Sequence, residues 1–209
     1  MSFKVHKVLK FIKFGLAFCF MNFITFNSQA QWDTNLVHKG ILAGVGTVGV
    51  GIMPSSNITN AYVTGNIEYY AERSVSIRGD GYFFVNSLSK NSPLKQNSSV
   101  YFGAFYHFPT HSGFDPLIGF QPGAAFARTT DSAYGKADQG TMAPLLSVVV
   151  GFNFFAEKWF HIQANIRYTA GQESTQQTQF DLTEISFNFG LGWNFNLITG
   201  RHKGIIDRF

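Results

Sequence analysis

From Ile185 to Leu197 apolar and polar residues alternate without a break. Ile185, Phe187, Phe189, Leu191, Trp193, Phe195 and Leu197 are separated by Ser186, Asn188, Gly190, Gly192, Asn194 and Asn196. A period of two puts every apolar side chain on one face of a β-strand and every polar or absent one on the other. The run is thirteen residues long, whereas a tilted strand crosses a bilayer in roughly 9 to 11. A membrane-crossing β-barrel is therefore the first architecture to test against the rest of the chain.

The N-terminus bears on where such a barrel would reside. Lys4, Lys7, Lys10 and Lys13 precede an apolar run from Phe14 to Phe26, and the small residues Ser28 and Ala30 follow. This order reads as a secretory signal peptide over residues 1–30, cleaved after Ala30 to leave a mature chain from Gln31. The apolar run contains Asn22 and falls short of the roughly 20 residues that a spanning helix needs. The segment holds four of the sixteen basic residues and none of the twelve acidic ones, so the mature chain is formally neutral. The positive charge of the whole sequence thus belongs to the export signal, which argues against nucleic acid as a partner. Cys19, the only cysteine, also lies in this segment, and the mature domain must hold together without disulfides. Leu16-Ala17-Phe18-Cys19 carries Phe18 where a lipid-attachment box requires a small residue.

Seven further stretches show the strand pattern: Leu36–Met53, Asn60–Tyr70, Val75–Asn86, Val100–Phe108, Leu117–Arg128, Ala143–Phe155 and Phe160–Gly171. The first is blurred by glycine and valine. The fifth contains Pro122, which predicts a bulge. In the third, Val75, Ile77, Phe83 and Val85 oppose Ser76, Arg78, Asp80 and Asn86. With the closing strand the count is eight, an antiparallel up-and-down transmembrane β-barrel over residues 31–197, followed by a short periplasmic tail, 198–209.

The connections support this count independently. Ala71–Ser74, Pro109–Asp115 and Ala156–Trp159 are short, whereas Ser87–Ser98, Thr129–Thr141 and Gln172–Thr183 are long and polar; only Pro54–Ile58 breaks the contrast. Outer-membrane barrels place short turns at the periplasmic rim and long loops outside. Tyr69-Tyr70-Ala71-Glu72-Arg73 and Phe154-Phe155-Ala156-Glu157-Lys158 resemble one another. Both read as periplasmic hairpins with an aromatic pair at the membrane boundary.

Alternation alone does not say which face points out, and a lipocalin-like soluble barrel would turn the apolar face inward. The polar face, however, is mostly Gly, Asn, Ser, Thr and Gln, and only 13% of the chain is charged, too little for a solvated exterior. Lipid outside and a narrow polar lumen inside is the reading adopted. Its inward charges are Glu68, Arg78, Asp80 and Arg167, with Glu184 near the rim. The tight turn at Glu72 and Arg73 sets Glu68 directly or diagonally opposite Arg78, with Asp80 next on the same face. An ion-pair network plugging the lumen is expected, because buried charges persist when paired.

The strand count, short turns, long loops and closing Phe189-Gly190-Leu191-Gly192-Trp193-Asn194-Phe195 segment resemble the small eight-stranded outer-membrane barrels of Gram-negative bacteria, the OmpX and OmpA-like type. The resemblance implies residence in the outer membrane among its lipids, passage through the barrel assembly machinery during insertion, and surface roles such as adhesion, resistance to host defences or envelope support. The chain departs from the pattern at its end. Residues 198–209 follow the last strand where such proteins often stop at a terminal aromatic.

Chemistry is sparse. His107 and His161 fall on the polar face and His111 and Ser112 share a turn, but none makes a pattern of nucleophile, base and acid that is legible in sequence. His107 and His111 do not make a metal site without further ligands. Gly44-Val45-Gly46-Thr47-Val48-Gly49 has no following helix to receive a phosphate. No catalytic residue, metal or cofactor is assigned. A structural or surface-interaction protein acting through its outer loops is the leading expectation. An accessory part of an envelope secretion or uptake complex, a lipid-modifying enzyme and a secreted binding barrel are the alternatives, and the sequence names no protein partner.

Overall fold

Strict alternation along the chain becomes a closed wall. The structure is a computed structural model that describes residues 36–90, 92–110, 112–129, 141–174 and 179–197. Its strands are β1 (Ile41–Met53), β2 (Ile58–Glu72), β3 (Val75–Ser87), β4 (Leu94–His107), β5 (Phe114–Thr129), β6 (Thr141–Glu157), β7 (Phe160–Ser174), β8 (Gln179–Asp181) and β9 (Glu184–Asn196). Strands β1 to β7 each pair antiparallel with their sequence neighbours. β9 pairs with both β7 and β1, so eight strands close on themselves without a free edge. The short β8 pairs only with the end of β7, outside the main sheet. The expected signal segment 1–30, with Cys19, and the expected tail 198–209 lie outside the described residues, as does His111.

Several boundaries differ from expectation for physical reasons. β1 begins at Ile41 rather than Leu36, just after Gly40 turns the chain at a φ of 89°. β4 begins at Leu94 rather than Val100, its ladder with β5 continuing through polar residues up to Leu94 and Thr129. β5 starts at Phe114, which takes Asp115 out of the expected turn and points it inward. Pro122 makes no bulge: the β5–β6 register runs through it unshifted, and the β4–β5 ladder skips from Tyr101↔Gly123 to Ala104↔Phe120 without gaining a residue. A proline cannot donate to the ladder, so it leaves a gap in the hydrogen bonding and no change of register. A true shift occurs between Ala61 and Tyr62, where β3 carries one residue more. As a result Asn86, expected on the inner face, is exposed, whereas Phe84, before the shift, keeps the alternation and packs against the interior.

The two matching hairpins fold alike. Each has a register irregularity at its alanine, between Tyr70 and Glu72 in one and between Phe155 and Glu157 in the other, and each reverses after its glutamate, at Glu72↔Val75 and Glu157↔Phe160. Within each aromatic pair the first member, Tyr69 or Phe154, faces out. The second, Tyr70 or Phe155, is fully buried, and both join Ile41 and Ala43 in one cluster beneath Leu36 and Val37.

The apolar face points outward. Phe83 is 65% exposed, Phe102 64% and Phe189 57%, and Ile67, Val100, Phe120, Val150, Ile166, Phe187 and Trp193 join them around the wall. An apolar belt of this extent is far larger than a water-soluble protein exposes, and hydrocarbon is the medium that covers it without cost.

The interior is not uniformly polar. Toward the long-loop end it is closed by Met53, Ile58, Tyr62, Tyr82, Leu94, Tyr101, Leu145 and Leu182 with three alanines, and toward the short-turn end by the Tyr70–Phe155 cluster. Charged, amide and hydroxyl side chains make up most of the middle. The expected polar lumen is a polar core between two apolar caps, with a small apolar cluster of Phe105, Leu117 and Val149 inside the wall as well. The tyrosines at nominally polar positions account for much of the difference.

Candidate functional site in the charged lumen

β2, β3, β5 and β7 carry Glu68, Arg78, Asp80, Asp115 and Arg167, and alternation fixes their direction: Glu68 and Arg167 each lie between two outward apolar side chains, and Asp80 between two glycines. Arg78 and Arg167 are each 1% exposed, so both guanidinium groups must find their partners within the protein.

They find them at Asp80. Arg78 Nη2 donates to Asp80 Oδ1 at 2.7 Å, and Arg167 Nη2 approaches the same oxygen at 3.2 Å. The rest of Arg167 is fully engaged: Nη1 donates to Ser147 Oγ at 2.7 Å, Nη2 to Gln121 Oε1 at 2.8 Å and Nε to the Tyr82 hydroxyl at 3.0 Å. Its guanidinium carbon lies 4.2 Å from the Tyr101 ring centre, and that of Arg78 lies 4.6 Å from Phe105. Gln121 returns a hydrogen bond from Nε2 to Asp80 Oδ2 at 2.6 Å. β3, β5, β6 and β7 are thereby tied together through one carboxylate.

Glu68 stands in register with Arg78, as the tight turn predicts, but its carboxylate turns toward the short-turn end. There Ser76 donates to Glu68 Oε1 at 2.5 Å and His107 Nε2 lies 3.1 Å from the same oxygen. His107 Nδ1 lies 2.8 Å from Asp115 Oδ2, which also accepts from the Tyr70 hydroxyl and from Asn153 Nδ2, each at 3.3 Å. Asn153 continues through Gln163 to Asn66 by hydrogen bonds of 2.9 and 2.8 Å. His107 and Asp115 are the members that sequence reading missed. The polar-face position of His107 was the available signal, whereas Asp115 was hidden by its assignment to a turn.

Ser76, His107 and Asp115 have the separations of a hydrolase triad, with 2.9 Å from Ser76 Oγ to His107 Nε2. The surroundings reverse the chemistry. Both ring nitrogens face carboxylates, an arrangement satisfied by the doubly protonated imidazolium, which has no lone pair to take a proton from serine. Ser76 is fully buried and its hydroxyl is committed to Glu68. As imidazolium, His107 joins Arg78 and Arg167 in balancing Glu68, Asp80 and Asp115. His161 lies apart, its ring over Gly192 and beside Phe155. Glu184 is buried under the long-loop cap and accepts from the Tyr62 hydroxyl at 2.8 Å and from Asn60 Nδ2 at 3.1 Å.

Many of these bonds join strands that are not neighbours in the wall. Tyr70 on β2 reaches Asp115 on β5, Asn66 on β2 reaches Gln163 on β7, and Arg167 on β7 reaches Tyr82 on β3. Contacts across the axis mean that side chains meet in the centre, the habit of barrels of this strand number.

No family model matches the chain, and no curated protein matches it. Among solved structures, the N-terminal β-barrel domain of Pseudomonas aeruginosa OprF superposes with a TM-score of 0.56 at 13% identity, covering 76% of this chain and 99% of that one. The fold is that of a small outer-membrane β-barrel. Neisserial surface protein A matches with a TM-score of 0.57 at 15% identity over 76% of this chain and 97% of its own. The outer membrane protein OprG of Pseudomonas aeruginosa matches at 0.56 and 11% over the same shares. At these identities the likeness is one of fold alone.

Proposed function

We propose that the mature chain, from Gln31, is an integral outer-membrane protein with a plugged lumen, and that it acts structurally or through surface contacts of its long loops rather than by catalysis or conduction. The observation that carries this reading is the cross-lumen network centred on Asp80 inside an apolar belt. The ion pairs fix the strands to one another and leave the variable chemistry to the loops. The short turns then face the periplasm and the long loops the exterior. Outer-membrane lipid is the constant partner.

Planar-bilayer recording of the purified protein tests the plug. Occasional brief noise without a stable open level is expected, and a sustained single-channel conductance overturns the reading. N-terminal sequencing of protein extracted from the outer membrane should begin at Gln31. Ser76→Ala should leave envelope lipid composition unchanged. Loss of a modified lipid in that variant would turn the assignment toward an envelope enzyme.

A further inference from the structure

Leu182 belongs to no strand, yet it is 2% exposed. It enters the long-loop end of the barrel among Met53, Ile58, Tyr62, Tyr82, Leu94 and Tyr101. The backbone around it is pinned at three points. β8 pairs with the protruding end of β7 from Gln172↔Asp181 to Ser174↔Gln179, and the Leu182 N–H donates to the Gly171 carbonyl at 3.0 Å. The Asp181 carboxylate then uses both oxygens: Oδ1 accepts from the Thr183 N–H at 2.9 Å, and Oδ2 accepts from the Ser55 hydroxyl at 2.5 Å. Ser55 sits in the β1–β2 turn, so the segment reaches from β7 over the start of β9 to the far side of β1.

We infer that residues 179–183 form a strap that holds Leu182 as the stopper of the packed apolar cap at the long-loop end of the barrel, and that the Ser55–Asp181 hydrogen bond is its tether. Two features set this arrangement apart from ordinary loop packing. The tether is an exposed polar contact, which exchanges readily with water, whereas the stopper is an apolar side chain with no polar bond of its own. The cap also rests on a fixed floor, because Arg167 stacks on Tyr101 and is bonded to Tyr82. Lifting the strap uncovers apolar wall without disturbing the charged core below.

A single reporter cysteine tests this in the full-length chain with Cys19→Ser, inserted in lipid vesicles and probed with a membrane-impermeant maleimide. Leu182→Cys should label slowly. Leu88→Cys, at a position 60% exposed on the neighbouring loop, supplies the fast reference. Adding Ser55→Ala or Asp181→Ala should speed Leu182→Cys labelling by about tenfold, the change that loss of one charge-assisted hydrogen bond supports. Ser55→Thr, which keeps the hydroxyl, should stay slow. Heat-modifiable migration on gels reports that each variant retains its barrel. Labelling of Leu182→Cys as fast as Leu88→Cys overturns the stopper. Either alanine variant labelling no faster than its parent overturns the tether.

Discussion

The ring of Phe105 lies on the bare backbone of Gly119, its register partner across the β4–β5 ladder. The relationship recurs around the barrel: Tyr101 on Gly123, His161 on Gly192, Leu145 on Gly171 and Asn188 on Gly49 are register pairs in which a Cβ on the glycine would collide with its partner. A narrow lumen admits a ring where the facing strand gives up its side chain. The outward glycines are of another kind. Gly44 and Gly46 face open space, and with Gly65, Gly79 and Gly81 they line a shallow apolar depression of about 930 Å³ on the outer wall.

This contrast gives opposite expectations for the same substitution. Gly119→Ala should destabilise the barrel by about 1–3 kcal/mol, the usual cost of forcing a methyl group into a packed interior. Gly46→Ala should be neutral or mildly stabilising, since it fills no occupied space and removes a flexible residue from a strand. Urea unfolding in lipid vesicles, followed by tryptophan fluorescence, reads both. Phe105→Leu combined with Gly119→Ala should recover part of the loss as a coupling energy. Equal losses at positions 46 and 119 would remove size complementarity as the explanation.

Asp80 is ion-paired with both lumen arginines, so its removal leaves two buried cations short of their counter-charge. Asp80→Ala should cost about 3–5 kcal/mol in the same unfolding assay, the range seen when one member of a buried ionic network is deleted. Asp80→Asn, which keeps an acceptor, should cost less. By contrast, Glu72→Ala at the exposed Lys39–Glu72 pair should be indistinguishable from the parent. An Asp80→Ala barrel that unfolds at the parent's urea midpoint would show that the network does not hold the strands together.

Alternation in β2, β3, β7 and β9 made the wall, the outward face and the four lumen charges legible in sequence, because in a barrel the period of two is the burial pattern. What stayed hidden has one physical root: sequence assigns a residue to a face but not to a depth or a partner. Tyr62, Tyr82 and Tyr101 occupy polar-face positions and form an apolar cap. Glu68 and Arg78 are in register, yet the third dimension gives Glu68 to His107 and Arg78 to Asp80. Leu182 and β8 fall in a stretch with no alternation, and the segment's hydrogen-bond partner Ser55 is distant in the chain.

The strap also predicts a pH response at the outer end. The Ser55 hydroxyl, followed by the Thr183 N–H, holds the Asp181 carboxyl below its usual range. A depressed carboxylate stabilises the fold above its unfolded pKa of about 3.9, and that contribution fades as pH falls through the folded value. Labelling of Leu182→Cys, corrected for the reagent's own pH dependence with Leu88→Cys, should therefore be flat from neutral pH to about 5 and rise below about 4. In the Asp181→Ala background the corrected rate should not vary with pH. A rise between pH 8 and 6 would instead assign the gate to a histidine.

Depth along β9 supplies the sharpest test of the belt. Phe189 and Phe195 both face outward, 57% and 59% exposed, but Phe189 lies near the middle of Glu184–Asn196 and Phe195 next to its end. If hydrocarbon covers this face, an arginine at position 189 is at the midplane and should cost about 2–4 kcal/mol, whereas one at 195 can reach the headgroups and should cost about 0–1 kcal/mol. Reversible unfolding of Phe189→Arg and Phe195→Arg in vesicles gives the two values. A barrel with water outside would show no such gradient and would become more soluble with either charge. Equal costs at the two positions would thus remove the membrane from the outer wall, and with it the reason for a polar core bridged from within.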